Sequence, residues 1–311
     1  MTTSGYHNPV LLPESVDGLN IKEDGVYVDV TFGGGGHSRE ILKRLGANGK
    51  LIAFDQDAEA LENSIEDPRF QLINQNFQFV TQYLKFYGIT AVDGILADFG
   101  VSSHQFDSAE RGFSIRFNGD LDMRMDQGQS LTAHKVVNSY AQEQLADVLY
   151  QYGELRSARA MARAIEKQRE QSPIRTTDDL KQVLKPFLVR NRENKVLAQV
   201  YQAIRIEVNQ EIEVLKQFLL QVPQLLKEKG RLSLISYHSL EDRLVKRFIR
   251  DGNFEGQAEK DFYGNTNAPL KKVGGLQVPA AAEIGKNNRA RSAKLRVAER
   301  IAEAKGVKGK K

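Results

Sequence analysis

The first hundred residues alternate short apolar segments with helical patterns, and this alternation restricts the fold more than any other feature. The apolar segments are short, rich in Val and Ile and closed by turn signals, as buried strands are. They are VYVDV ending near Val30, KLIAFD ending at Asp55, FQLIN at 70–74 and VDGILAD ending at Asp98. The segments SREILKRL, DAEALENSI and QFVTQYLKFYG between them predict helices. Because strands that alternate with helices pair in parallel through right-handed crossovers, the sequence predicts an α/β fold with a doubly wound sheet.

The alternation stops after Asp98. The next strand-like segment, RLSLISY at 231–237, follows about 130 residues later, although a crossover needs only about a dozen. The chain between them is too long and too helical for a loop, with helices predicted at 141–152, at 155–169, after Thr177 and at 195–220. We therefore expect a sheet domain at 1–108 and 213–311, and an inserted helical substrate-recognition domain at 109–212. Residues 252–285 are expected to be irregular, followed by a strand in KLRVAER.

Composition excludes several classes of protein. No apolar run approaches the roughly 18 residues of a membrane span, and the N-terminus lacks the basic and apolar regions of a signal peptide. Without cysteine the chain has no thiolate metal site and no cysteine nucleophile, and its five histidines show no ligand-like pairing. No G-x-S-x-G motif accompanies the serines, which disfavours a serine hydrolase. We expect a cytoplasmic protein without a metal.

Positive charge is concentrated at the C-terminal end. Residues 271–311 carry twelve Lys and Arg against three Asp and Glu, so this segment has a charge of +9 and the rest of the chain −5. Such an asymmetry favours a surface that binds a polyanion. The final KGVKGKK is equally well explained as a solvated tail.

The glycine run Gly33–Gly36, followed by His37, leaves the first predicted strand and enters a predicted helix. Glycines there let the chain turn sharply and let a ligand approach the N-terminus of the helix. Asp55 ends the second predicted strand, where a carboxylate can accept hydrogen bonds from ribose hydroxyls. These features predict a site for a cofactor that contains adenosine.

The glycine loop does not choose the cofactor. The dinucleotide fingerprint G-x-G-x-x-G or A, counted from Gly33, ends on Ser38, and no G-x-x-x-x-G-K-[ST] is present. Asp29 at the end of the first strand suits the ammonium group of a cofactor that contains methionine. A methyltransferase is therefore favoured over another nucleotide-binding enzyme or a turn without a ligand.

Asp98 and the residues after it follow the fourth predicted strand, where ligands bind in open parallel sheets. Asp98 could orient a base amine for methyl transfer or hold the cofactor, and the sequence does not separate these roles. Phe99 could stack on a base or pack in the core. Ser102 and Ser103 are candidates for substrate binding.

Three further segments contain candidates. Alternating charges at 119–126, including Asp122 and Arg124, could bind substrate or form a structural knot of ion pairs. Asp122 is also a catalytic candidate, since its carboxylate could accept the amine hydrogen bond in place of Asp98. His238 follows the fifth predicted strand and is a candidate for catalysis or substrate binding, while Ser239 and Asp242 resemble a capping box. A helical stripe of basic residues could contact phosphates or be an ordinary solvated face; it consists of Arg156, Arg159, Arg163 and Lys167.

In this order the motifs resemble those of the bacterial 16S ribosomal RNA cytosine-N4 methyltransferase family, called MraW or RsmH. The matching stretches span nearly the whole chain: 7–12, 31–38, 67–70, 96–103, 110–114, 121–126, 204–209, 235–246 and 289–299. His104 and Asp120 stand where the family usually has proline, and Ala97 and Phe99 vary its L-D-L-G, which affects the expected loop geometry only.

The resemblance implies a Rossmann-like S-adenosylmethionine-dependent methyltransferase sheet with an inserted all-helical domain. It implies methylation of N4 of a cytosine in the decoding centre of 16S ribosomal RNA, with the small ribosomal subunit as partner. The implied cofactor contacts are Gly35, Gly36, His37, Asp55, Phe77, Asp98 and Gln105. The alternatives are a non-catalytic RNA-binding assembly factor and a nicotinamide-dependent oxidoreductase.

Overall fold

The computed structural model describes residues 9–257 and 268–302. The first part of the 7–12 motif, part of the 252–285 segment and the end of the basic tail lie outside these residues. The chain divides into two compact units, which we call the sheet unit (1–100 and 213–311) and the helical unit (Val101–Ile212). The helical unit begins before residue 109 because Val101 and Phe106 pack against its core.

Seven strands form one sheet in the order β3-β2-β1-β4-β5-β7-β6. Strands β1 to β5 pair in parallel, whereas β7 is antiparallel to both β5 and β6. The strands are β1 (Val26–Asp29), β2 (Lys50–Asp55), β3 (Phe70–Asn74), β4 (Val92–Asp98), β5 (Leu226–Ser236), β6 (Leu270–Gln277) and β7 (Lys294–Arg300). The α/β class, the first four predicted strands and the last one are thus confirmed.

The prediction of an irregular 252–285 segment is wrong where β6 forms and where the helix Ala281–Lys286 begins. This strand lies at the edge of the sheet and is mostly exposed, so it lacks the apolar alternation of a buried strand. Its register against β7 shifts between Val273 and Gln277, and Gly274 has a φ of +67° there. The glycines that suggested a loop therefore accommodate an irregularity within a strand.

Twelve α-helices lie within the described residues. They are α1 (Leu12–Gly18), α2 (Gly36–Arg44), α3 (Val80–Phe86), α4 (Ser103–Asp107), α5 (Ala133–Ser139), α6 (Gln142–Gln151), α7 (Ala158–Arg169), α8 (Thr177–Leu184), α9 (Glu193–Asn209), α10 (Glu211–Leu225), α11 (Ser239–Asp251) and α12 (Ala281–Lys286). None of them is long and apolar enough to cross a membrane. The helix predicted in DAEALENSI is instead a 3-10 helix, Ala58–Asn63, which starts where the Asp57 side chain accepts a hydrogen bond from the amide of Glu59.

In the sheet unit, the main core packs strands against α10 and α11. Phe218 on α10 and Phe248 on α11 are almost fully buried beside Val28, Ile95 and Leu234 of the sheet. Burial of such side chains stabilises the folded chain by about 1.5–3 kcal/mol each. The buried apolar strands therefore hold the polar residues at their C-terminal ends at one edge of the sheet.

The helical unit has a core of its own, formed by side chains such as Leu149, Met161 and Ile204. The single long helix predicted at 195–220 is wrong, because α9 ends at Asn209 and α10 begins at Glu211. Gln210 between them has a left-handed φ of 50°. An amphipathic stripe continues across this break, so periodicity alone did not reveal it.

Asn209 holds the 119–126 segment inside the helical unit. Its side-chain oxygen accepts a hydrogen bond from the amide of Met125 at 2.7 Å, and its amide nitrogen donates to the carbonyl of Met123 at 2.8 Å. Met123 has a left-handed φ of 58°, a conformation that is costly for this residue. The buried Asn209 therefore fixes the unusual turn.

We predict that Asn209→Ala destabilises the protein by about 3 kcal/mol, because it leaves buried backbone groups of the turn without partners. Urea denaturation measures the difference. The exposed Gln171→Ala in the same unit is the control, with a change below about 0.5 kcal/mol. Equal midpoints for the two variants would contradict this role of Asn209.

Candidate functional site

The carboxyl ends of β1, β2 and β4 bring three carboxylates to one edge of the sheet. Asp29, Asp55 and Asp98 are the last residues of these strands. Since the strands are parallel neighbours, their carboxyl ends meet at the same edge, where open sheets bind ligands. The candidate site is built from this edge.

The glycine loop joins β1 to α2. Gly33 and Gly35 have φ values of 51° and 75°, and the amide of Gly35 donates to the carbonyl of Phe32 at 2.7 Å. A Cβ at Gly36 would collide with the ring of Pro9. Glycine is therefore required for the turn itself and for the close approach of the preceding chain.

His37 is buried in the first turn of α2. Its Nε2 lies 3.2 Å from the carbonyl oxygen of Val10. Burial lowers the pKa of His37 to about 4, so its ring is neutral near pH 7 and Nε2 donates the hydrogen bond. This hydrogen bond connects the N-terminal segment to the glycine loop. Because the side chain is used in this way, we expect His37 to contact a cofactor through its backbone.

Asp29 braces the loop. It is fully buried, and its carboxylate accepts hydrogen bonds from the Ser38 hydroxyl at 2.7 Å and from the amide of Thr31 at 3.1 Å. Asp29 therefore holds the loop in place, and its role towards the ammonium group of the cofactor stays a prediction. The hydrogen bond to Asp29 also explains why serine stands at position 38, where the dinucleotide fingerprint has Gly or Ala.

Asp55 and the first glycine of the loop are in direct contact. The amide of Gly33 donates to Oδ2 of Asp55 at 2.7 Å, and the amide of Asp57 donates to Oδ1 at 2.9 Å. Burial, together with the nearby carboxylates of Asp57 and Asp29, raises the pKa of Asp55 to about 6, although the two backbone hydrogen bonds oppose this shift. Two predicted cofactor residues are thus brought together across β1 and β2.

Asp98 receives a hydrogen bond from a residue that the sequence did not single out. The hydroxyl of Tyr237 donates to Oδ1 of Asp98 at 2.8 Å, and the backbone amide of Asp98 donates to the Thr31 hydroxyl at 2.6 Å. Burial raises the pKa of Asp98 to about 7, helped by the charges of Asp29 and Glu241. Tyr237 directly follows β5, and this position was the one signal in the sequence that could have identified it.

Within the part of the chain that the structure describes, the three carboxylates have no positive partner. Among the described residues, no Lys or Arg forms an ion pair with Asp29, Asp55 or Asp98, and burial is the main cause of each raised pKa. Such an edge suits a ligand that brings positive charge and hydroxyl donors. S-adenosylmethionine has a sulfonium, an ammonium group and ribose hydroxyls, so these residues fit it.

Phe77 and Phe99 differ in their environment. Phe99 is only 5% exposed and packs against Phe77 and Phe218, so of its two interpretations core packing is confirmed. Phe77 lies just after β3 and is partly exposed, with its ring 5.4 Å from that of Phe218. The ring of Phe77 is therefore held in place by Phe218 and remains partly exposed near the C-terminal end of β3.

His238 begins α11. Its Nδ1 accepts a hydrogen bond from the amide of Glu241 at 3.4 Å, and its Nε2 lies 3.0 Å from the carboxylate of Glu241. The predicted capping box of Ser239 and Asp242 is therefore wrong by one residue. Asp242 instead pairs with Arg296 at 2.7 Å, because α11 packs against β7.

In the helical unit, Asp122 and Arg124 form a closed structural pair. The Arg124 guanidinium binds both carboxylate oxygens of Asp122, at 2.9 and 2.7 Å, and the carbonyls of Gln127 and Gln129. This guanidinium holds the pKa of Asp122 below its usual range although burial opposes it. The structural-knot interpretation of this segment accounts for these contacts.

Ser102 and Gln105 cap α4, which starts at Ser103. The Ser102 hydroxyl accepts from the amide of Gln105 at 3.2 Å, and the Gln105 side chain accepts from the amide of Ser102 at 3.0 Å. This is a reciprocal capping box. The predicted site residues thus fall into two groups, with Ser102, Ser103, Gln105, Asp122 and Arg124 in the helical unit and the others in the sheet unit.

Comparison with known proteins gives one family and close relatives. The model of the MraW methylase family matches residues 4–301. The chain is 65% identical to ribosomal RNA small subunit methyltransferase H of Christiangramia forsetii, over 95% of this chain and 98% of that protein. It is 63% identical to the protein of the same name from Flavobacterium johnsoniae, over 96% and 99%. Among solved structures, an rRNA methylase from Streptococcus thermophilus has a TM-score of 0.39 and 12% identity, over 93% and 95%.

We predict that Asp98→Asn stabilises the ligand-free protein at high pH relative to low pH. The folded-state pKa of Asp98, about 7, lies above its unfolded value, so the stability from this group is present at low pH and lost as the pH rises through 7. The asparagine has no charge to bury. The difference in melting temperature between variant and parent should rise by at least about 2 °C between about pH 5 and about pH 8.

The exposed Asp24→Asn removes the same charge and is the matched control, with a difference that stays constant over this range. Parallel melting curves for Asp98→Asn and its parent would show that the buried carboxyl has an ordinary pKa.

Proposed function

The chain belongs to the MraW methylase family, and from this membership we propose that it methylates N4 of a cytosine in 16S ribosomal RNA. The cofactor is S-adenosylmethionine. Relatives at 65% and 63% identity over nearly the full length are named ribosomal RNA small subunit methyltransferase H, which supports this substrate. The observation that carries the proposal is the glycine loop beside the buried Asp29 and the partly buried Asp55 and Asp98, which no Lys or Arg of the described residues neutralises. The cytosine, its place in the decoding centre and the assembled subunit as substrate are the narrower part of the proposal.

We assign the cofactor contacts to the edge of the sheet. The backbone of Gly33, Gly35, Gly36 and His37 forms the turn that the cofactor approaches, and Asp55 has lone pairs left for ribose hydroxyls after accepting two backbone amides. Phe77 offers a partly exposed ring for the adenine. Asp98 completes the assignment at this edge, whereas Gln105, a contact that the family resemblance implies, lies in the helical unit and caps α4.

The bound cofactor supplies a methyl group that is already activated by the positive sulfur. The protein therefore has to position the acceptor amine and exclude water. A cytosine amine is a poor nucleophile because its lone pair is delocalised into the ring, and a carboxylate that accepts a hydrogen bond from it localises that pair. As the N–C bond forms and the C–S bond breaks, the amine proton passes to this acceptor.

Asp98 suits the acceptor role better than Asp122 or His238. The carboxylate oxygens of Asp122 are both occupied by Arg124, and Nδ1 of His238 accepts the amide of Glu241. Asp98 has a raised pKa of about 7, so it is basic enough to take a proton near neutral pH. We therefore assign the amine hydrogen bond to Asp98.

The proposal is tested with S-adenosylmethionine that carries a radiolabelled methyl group. Label should enter small ribosomal subunits, and digestion to nucleosides should recover it as N4-methylcytidine. Asp55→Asn should weaken cofactor binding by about tenfold to a hundredfold, because it removes a charged acceptor of hydrogen bonds. Isothermal titration calorimetry measures this change.

The exposed Glu62→Gln is the control, and its cofactor affinity should equal that of the parent. Absence of label from both subunits and naked RNA, with Asp55→Asn having no effect on RNA binding, would favour the assembly factor. Binding of NAD in place of S-adenosylmethionine would favour the oxidoreductase.

The exposed basic face of α7 supports RNA binding by the helical unit. Arg159, Arg163 and Lys167 recur every four residues along α7 and are exposed, and Arg156 precedes them. Within the described residues these four cations form no ion pair, whereas Arg169 on the same helix pairs with Glu166. We propose that this face contacts phosphates of the substrate.

Replacing both Arg159 and Arg163 with Gln should weaken RNA binding and reduce the slope of log affinity against log salt by about 1.5. Filter binding over a range of salt concentrations measures both. Replacing Lys50 and Lys85 with Gln removes the same charge from exposed positions of the sheet unit and should leave the slope nearly unchanged. Equal slopes for the two double variants would show that the basic face of α7 is an ordinary solvated surface that does not contact RNA.

A further inference from the structure

The Tyr237 hydroxyl is the one side-chain donor that reaches the carboxylate of Asp98 within the described residues. We propose that Tyr237 is a positioning residue, which orients Asp98 so that its second oxygen accepts the hydrogen bond from the cytosine amine. This inference rests on the proposed function and adds to it a residue that acts through Asp98 rather than on the substrate.

The register of the sheet brings the two residues together. Asp98 ends β4 and pairs with Ile235 of β5, and Tyr237 follows β5 directly. The amide of Phe99 donates to the carbonyl of Ile235 at 3.0 Å, so the strands stay paired to their ends. The position of Tyr237 against Asp98 is therefore set by the backbone pairing of β4 with β5.

The turn after Asp98 leaves room for the Tyr237 ring. Gly100 has a φ of +104°, and a Cβ there would lie 3.8 Å from Cδ2 of Tyr237. The ring packs against the cluster that contains Ile235 and Leu295. Packing thus holds the ring independently of its hydroxyl, and the hydroxyl is left for Asp98.

The hydrogen bond uses one of the two oxygens of Asp98. Oδ1 accepts the Tyr237 hydroxyl, and within residues 9–257 and 268–302 no donor is bonded to Oδ2. A carboxylate rotates about its Cβ–Cγ bond, so a fixed partner on Oδ1 also fixes the direction of Oδ2. Oδ2 of Asp98 therefore has a fixed direction for accepting a hydrogen bond.

The charges around this pair keep Tyr237 a donor. Burial and the charge of Asp98 hold the pKa of Tyr237 well above its usual value, and Glu241 and Glu283 act in the same direction. Around Asp98 itself, burial, Asp29 and Glu241 raise its pKa, whereas the bond from Tyr237 is the factor that lowers it. Tyr237 therefore favours the ionised form of Asp98, which is the form that accepts a hydrogen bond.

The test is the pH dependence of methyl transfer by Tyr237→Phe, which keeps the ring and removes the hydroxyl. Without the donor, the pKa of Asp98 rises, so the fraction of ionised Asp98 at a given pH falls. We expect kcat at neutral pH to fall by about tenfold and the acidic limb of the profile to move up by about one pH unit. The KM for small subunits should stay unchanged.

Tyr27→Phe is the matched control, because Tyr27 is a buried tyrosine of the same sheet whose hydroxyl accepts the amide of Lys22 at 2.7 Å. It should lower the melting temperature without moving the pH profile. A Tyr237→Phe profile that coincides with that of Tyr27→Phe would overturn the inference.

A double variant separates positioning from a purely structural effect. If Tyr237 acts through Asp98, adding Tyr237→Phe to Asp98→Asn should cause no further loss of kcat. A further loss equal to that of Tyr237→Phe alone would assign the tyrosine an independent role and overturn the inference. If the parent protein itself transfers no methyl group to RNA, the proposed function fails first and the inference falls with it.

Discussion

The uncompensated burial of Asp29, Asp55 and Asp98 at one edge of the sheet is the constraint on which the rest of the site depends. Burial removes water from carboxylates that no Lys or Arg of the described chain neutralises, so all three have pKa values of about 6 or 7. A protein that only needed to be stable would pair or replace such groups. Here a sulfonium cofactor brings the positive charge that the protein lacks. Binding of that ligand therefore stabilises the ionised carboxylates at this edge.

The same carboxylates also build the loop that would hold the ligand. Asp29 accepts the Ser38 hydroxyl at the start of α2, and Asp55 accepts the amide of Gly33. Support and recognition therefore share residues, and loss of either carboxylate changes the shape of the turn as well as its charge. Asp98 differs, because its carboxylate accepts a hydrogen bond from Tyr237 and not from the glycine loop, so its charge can be changed with less effect on the loop.

Much of the fold was predictable, because the strands of a parallel sheet are continuous apolar runs that end in polar residues. The contact of Gly33 with Asp55 follows from such strand ends. What failed depended on geometry that local sequence does not encode: the edge strand β6, the break at Gln210 and the cap at His238. Tyr237 was missed for the same reason, since it lies 139 residues from Asp98 and meets it only through the register of β4 against β5.

Asp98 and Asp122 show how environment divides roles between identical side chains. Arg124 keeps Asp122 ionised and occupies both of its oxygens, so this carboxylate is a poor proton acceptor and a good structural anchor. Asp98 is buried among other acids with a single donor from the side-chain groups around it, which raises its pKa to about 7. A group with that pKa can accept a proton from an amine cation and return it to water near neutral pH. The pair of opposite shifts therefore points to Asp98 as the carboxylate that meets the substrate amine.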